Sequence, residues 1–84
     1  MKKAKLLKKL LSGSKNIKFS EASACAGAFG FYLDRINGSH HIYVHRDIPE
    51  LVNLQNVKGK AVPYQVKQFL QLIERYNLQM EDEL

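Results

Sequence analysis

Apolar positions along this chain follow two spacings, and the change from one to the other separates helices from strands. From residue 2 to 11, Leu6, Leu7, Leu10 and Leu11 recur every three or four positions among lysines. That spacing predicts an amphipathic helix, ended by Ser12-Gly13-Ser14. Ala22, Cys25, Ala26 and Phe29 then stand at i, i+3, i+4 and i+7. Ser20 suits the N-cap, Glu21 the first turn and Gly30 the stop, so a second helix is expected there. Its stripe of mostly small side chains permits close approach to a sheet but adds little apolar area.

Residues 31–36 and 39–45 are rich in aromatic and β-branched types. The Asn37-Gly38 pair between them predicts an antiparallel hairpin with a type I′ turn, whose two central positions need positive φ. Pro49 lacks a ladder donor and marks residues 46–50 as a turn, after which residues 51–57 read as a third strand. Lys58-Gly59-Lys60 reads as a basic connector. From 62 to 78, Val62, Val66, Phe69, Leu70, Ile73 and Tyr76 form one stripe, with Pro63 in the first turn and Asn77 near the end.

The expected fold is therefore α+β, a three-stranded antiparallel sheet with helices on one face and the other face open to solvent or ligand. Eighty-four residues suffice for a single domain with one small core. It is expected to span residues 1–84 as a basic helix over 2–11, a core over 19–78 and an acidic tail over 79–84. The longest apolar run is too short to span a bilayer, so a soluble, cytoplasmic protein without a membrane partner is expected. The one cysteine, Cys25, has no partner for an internal disulfide and no neighbouring ligands at metal spacing, which makes it a core residue by expectation.

Charge sharpens this picture. The formal net charge is +5, and Lys2, Lys3, Lys5, Lys8, Lys9, Lys15 and Lys18 precede the first acid, Glu21. A basic arm of this kind attracts phosphate backbones without reading sequence, by releasing condensed counterions. The alternative is a solvated helix face that keeps the protein soluble.

All three histidines, His40, His41 and His45, fall within six positions of the middle strand. Alternation places His40 with Ile42 and Val44, and His41 with Tyr43 and His45; the second, polar and aromatic row is the one expected on the open face. Zinc would need a further converging ligand that no Cys pair or His-Glu pattern supplies. A Ser-His relay through Ser39 fails because neighbouring strand residues point to opposite faces. General acid/base work on an RNA 2′-hydroxyl needs less: an imidazole, which titrates near neutrality, and cations to hold the phosphate. Arg46, Lys58, Lys60 and the N-terminal arm are the expected cations. The competing reading is exposed strand histidines with no catalytic task.

The run Gly38-Ser39-His40-His41-Ile42-Tyr43-Val44-His45, the basic Gly59-Lys60 segment and a C-terminal helix ending near Asn77-Leu78 resemble the HicA toxin family, over about residues 3–78. The stretch from Val52 to Lys60 resembles the longer variety of that family. The resemblance implies a fold like the double-stranded-RNA-binding domain, metal-independent cleavage of mRNA without a small-molecule cofactor, and a HicB-type antitoxin that covers the active surface. Carried over by position, Gly38 and Ser39 match the turn and strand start, and the catalytic histidine falls at His40 or His41. His40 is favoured as the acid/base group and His41 as a phosphate ligand, with Gly38, Ser39, His45, Arg46, Lys58 and Lys60 as the RNA-binding set. The chain departs from the family in Arg46, where proline is usual, and in the alanine-rich second helix. A non-catalytic RNA- or DNA-binding module using the same basic surface remains the alternative.

Overall fold

The computed structural model describes residues 3–13 and 15–80. Along the chain run α1 (Lys3–Leu11), α2 (Phe19–Ala28), β1 (Tyr32–Asn37), β2 (His40–Val44), β3 (Val52–Val57), β4 (Lys60–Ala61) and α3 (Pro63–Tyr76). The four strands form one open antiparallel sheet in the order β1-β2-β3-β4. The expected helix start at Lys2, the helix end at Ser14 and the tail over 81–84 lie outside the described residues.

Buried side chains explain why the helices gather on one face. Tyr43 of β2 and Val52 and Leu54 of β3 alternate inward, and they join one core with Leu6 and Leu10 of α1, Ala22, Cys25 and Ala26 of α2, and Val66, Phe69 and Leu72 of α3. The small stripe of α2 is buried as the spacing predicts, with Ala22, Cys25 and Ala26 at 0% exposure. Aromatic bulk fills the space those alanines leave. Phe69 packs edge-on against both Phe29 and Phe31, with ring centroids 6.3 and 5.5 Å apart. In α3 the inward stripe contains Leu72, whereas Tyr76 stays exposed and reaches sideways.

The structure corrects several turn and cap expectations. Lys18, not Ser20, is the N-cap of α2, and its backbone N–H donates to the Glu21 carboxylate at 2.9 Å. That carboxylate is only 8% exposed and also takes a hydrogen bond from Lys9 Nζ at 3.0 Å, which ties α1 to the start of α2. The first hairpin turns at Gly38-Ser39, because Asn37 pairs with His40. Only Gly38 has positive φ, as a type II′ turn requires at its first central position. The type I′ geometry occurs one hairpin later. Lys58 (φ 53°) and Gly59 (φ 83°) are both left-handed, so the expected basic connector is a tight turn into a short fourth strand that the sequence pattern did not reveal. At the far end, Asn77 closes α3 in the left-handed conformation (φ 50°, ψ 45°).

β1 stands at the sheet edge with all six residues exposed, including Tyr32, Leu33 and Ile36. A bulge between Leu33 and Arg35 inserts Asp34 as the extra residue. Among the described residues no helix is long and apolar enough to cross a membrane.

Candidate active site on the uncovered sheet face

Pairing register fixes which side chains share each face. Asn37, His40 and Gln55 form one row across β1, β2 and β3, and Arg35, Ile42 and Asn53 form the next. Tyr43, inward on β2, packs against α2 and exchanges a 2.7 Å hydrogen bond with Ser23 Oγ. By alternation His41 and His45 share the helix-covered face with Tyr43, and His40 shares the opposite face with Ile42 and Val44. The row expected on the open face is thus the covered one. Tyr43 is the largest apolar body in β2, and its burial outweighs the polarity of its neighbours.

His40 is half-buried on the uncovered face, and its Nδ1–H donates to Asn53 Oδ1 at 3.1 Å. A carbonyl oxygen can only accept, so Nδ1 carries a hydrogen, and in the neutral ring the lone pair sits on Nε2. Nothing among the described residues takes that lone pair. An imidazole held in one tautomer with its second nitrogen free is the form a general base requires.

His41 begins the covered side at the same end of the sheet. Its ring lies 4.6 Å from the ring of Phe19, tilted by 53°, and its Nδ1–H donates to the Ser39 carbonyl at 3.3 Å. The same carbonyl accepts the Asn56 N–H at 2.9 Å, which links the first turn to the end of β3. His45 is tied down at both nitrogens. Nε2–H donates to the Phe29 carbonyl and Nδ1 accepts the Asp47 N–H, each at 3.1 Å, while the ring packs against Phe31 at 5.0 Å. Both of its hydrogen-bonding positions are spent within the protein, so it pins the loop after β2 to the end of α2.

The expected cations divide by position. Lys58 sits in the turn beside Asn56, whose Oδ1 accepts the Gly59 N–H at 2.8 Å, and so lies at the same end as Gly38, Ser39 and His40. Lys60 follows at that end; its ammonium donates to Asn16 Oδ1, and its backbone bridges to Lys18. The Gly59 carbonyl in turn accepts the Phe19 N–H at 2.8 Å, fixing this turn to the start of α2. Arg46 lies in the turn past the opposite end of β2, with the strand's length from His40 to Val44, about 13 Å, between them, and does not join the group. Of the N-terminal arm, Lys18 lies at this end beside Lys60, whereas the described lysines of α1 do not. α1 packs chiefly against α2, so its lysines belong to the helical layer.

Two residues absent from the sequence reading complete the face. Asn53 holds His40, and Arg35 stands diagonally beside it on β1, its guanidinium paired with Asp34 yet largely exposed. Neither carries a local signal. Their arrival depends on strand register and on the bulge at Asp34, which returns Arg35 to the His40 face. Among the described residues, no three His, Cys, Asp or Glu side chains converge as metal ligands would. Comparisons with family models, curated proteins and solved structures find no match to this chain.

Proposed function

We propose that this chain is an endoribonuclease of the HicA type, the toxin of a toxin-antitoxin pair, which cleaves mRNA without a metal by general acid/base catalysis at His40. The observation that carries this reading is the state of one ring, with Nδ1 of His40 bound to Asn53 and Nε2 unpartnered on the uncovered face. RNA supplies its own nucleophile, so a base, a positive environment and a defined phosphate position are sufficient. Nε2 takes the 2′-hydroxyl proton as the 2′-oxygen bonds to the adjacent phosphorus and the bond to the 5′-oxygen breaks. The imidazolium formed can return that proton to the departing 5′-oxygen.

Arg35 and Lys58 are the cations best disposed to hold the phosphate, with Lys60 on the approach; Gly38 and Ser39 form the rim. His41 serves at the edge of this site through its unshared Nε2. A sheet with helices packed on one face is also the layout of the double-stranded-RNA-binding domain that the resemblance implies, here carrying one additional helix and a short fourth strand. A HicB-type antitoxin that masks the His40 face would restrain the activity in the cytoplasm, and exposed Tyr32, beside Arg35, gives such a partner an apolar anchor.

The test is cleavage of a purified transcript by the wild-type chain and by His40→Ala and His41→Ala variants. His40→Ala is expected to lower cleavage by about 10²- to 10⁴-fold with an unchanged circular dichroism spectrum, and His41→Ala to lower it less. Cleavage that survives His40→Ala rules the mechanism out. RNA binding that falls with salt in every variant, with no cleavage in any, identifies the non-catalytic module instead.

A further inference from the structure

The cavity between β3 and α3 shares a residue with the candidate site. It has a volume of about 220 Å³, and Asn53, Gln65, Gln68 and Gln71 line it above a floor formed by Phe69 and Leu72. Drug-sized pockets run to roughly 300–1,000 Å³, so this one takes a smaller fragment, about one ring system. Its chemistry is that of neutral amides. The Glu50 carboxylate and Arg75 guanidinium at the rim are bound to each other at 3.2 Å, and Tyr76 donates to the same carboxylate at 2.6 Å, so the pocket presents no free charge.

Backbone geometry adds a donor and an acceptor. The Asn56 N–H bonds to the Ser39 carbonyl, just before β2, and the Gln55 N–H points the other way, to Gln65 Oε1 at 2.7 Å. In an antiparallel strand the direction repeats every second residue, so the N–H and C=O of Asn53 also point outward, toward α3. Along β3, β4 pairs with Asn56 and Val57, and among the described residues no other strand lies against that edge. The side chains of Gln68 and Gln71 likewise have no hydrogen-bond partner among the described residues.

We infer that this cavity is a nucleobase subsite, which binds one base of the RNA whose phosphate lies at His40. The inference rests on the nuclease reading for its RNA but on the pocket alone for its ligand class. A base edge offers a hydrogen-bond donor next to an acceptor, which matches the paired N–H and C=O of an unpaired strand residue. Single-stranded RNA is read in this manner, by hydrogen bonds to base edges and by contact with the ring faces. The apolar floor receives the ring and the glutamines close around its polar rim. Asn53 then has two roles, its side chain orienting His40 and its backbone reading the base, so recognition and chemistry meet in one residue.

Two measurements test this. The full-length His40→Ala protein is titrated with each of the four nucleoside monophosphates and with ribose 5-phosphate, while NMR follows the side-chain amides of Gln65, Gln68 and Gln71 and the backbone amide of Asn53. Saturable shifts of these signals with at least one nucleotide and none with ribose 5-phosphate support the subsite; equal responses to all, or none, overturn it. Cleavage positions are then mapped for the wild-type chain and a Gln68→Ala/Gln71→Ala double variant. A base preference next to the cut that falls about 10-fold in the double variant supports the subsite, and an unchanged preference overturns it. Failure of the wild-type chain to cleave any RNA sinks the nuclease reading, and the titration then decides the pocket independently.

Discussion

Asn53 Oδ1 and His40 Nδ1 lie 3.1 Å apart across the β2–β3 pairing, a contact between residues thirteen positions apart that fixes which imidazole nitrogen is free. Removing the carboxamide leaves the ring free to rotate and to exchange tautomers. Asn53→Ala is therefore expected to lower kcat about 10- to 100-fold, the scale on which losing a hydrogen bond that orients a functional imidazole acts. The comparison is single-turnover cleavage beside a thermal melt. A loss of rate that only tracks a lower Tm would assign Asn53 to stability.

Lys58 occupies a left-handed backbone conformation (φ 53°) that side chains other than Asn, Asp and Gly adopt at a cost. Lys58→Asn should relieve that cost and raise stability by about 0.5–1 kcal/mol. The same change removes a cation from the His40 end of the sheet, so RNA binding should weaken and its salt slope should shrink by about one charge. Denaturant melts and filter binding over a range of salt test the two halves separately. An unchanged salt slope would mean that Lys58 meets no phosphate.

Glu21 accepts the Lys18 N–H, and this hydrogen bond, with the one from Lys9, holds its carboxyl below the ordinary carboxylate value of 4.5. A lowered native value contributes stability that is present above the unfolded pKa and is lost as the pH falls through the native one. Tm should therefore decline on acidification below about pH 4.5 more steeply in the wild-type chain than in Glu21→Gln. At neutral pH, Glu21→Ala should cost about 1–2 kcal/mol, the worth of a helix cap hydrogen bond. Equal acid slopes in the two proteins would remove Glu21 from the account.

Cys25 is fully buried, and burial pushes its thiol up to about 11. Thiolate is the reactive form, so the native protein should resist disulfide-exchange reagents at neutral pH and react at the rate of unfolding. Rapid labelling of the folded chain would show that α2 opens locally.

The three helices and three of the four strands were legible in the sequence, each to within one or two residues at its described ends. Helical spacing in 62–78, the small stripe Ala22, Cys25, Ala26 and Phe29, and β-rich runs on either side of Gly38 are local signals, each set by one element's need to bury one face. Pro63 and Asn77 marked the limits of α3 for equally local reasons, a missing N–H and tolerance of positive φ. The histidine cluster on β2 could also be seen, since it is a fact of adjacency.

Which histidine faces outward could not be read that way. The spacing of a strand states that His40 and His41 part company but not which one meets the helices; that is decided by packing Tyr43 against α2 and Leu54 under the core. The turn at Gly38-Ser39, one residue beyond the expected pair, and the bulge at Asp34 then set the partners across the sheet. Asn53 and Arg35 reach His40, and Arg46 does not, because register is a relation between strands that no single strand contains.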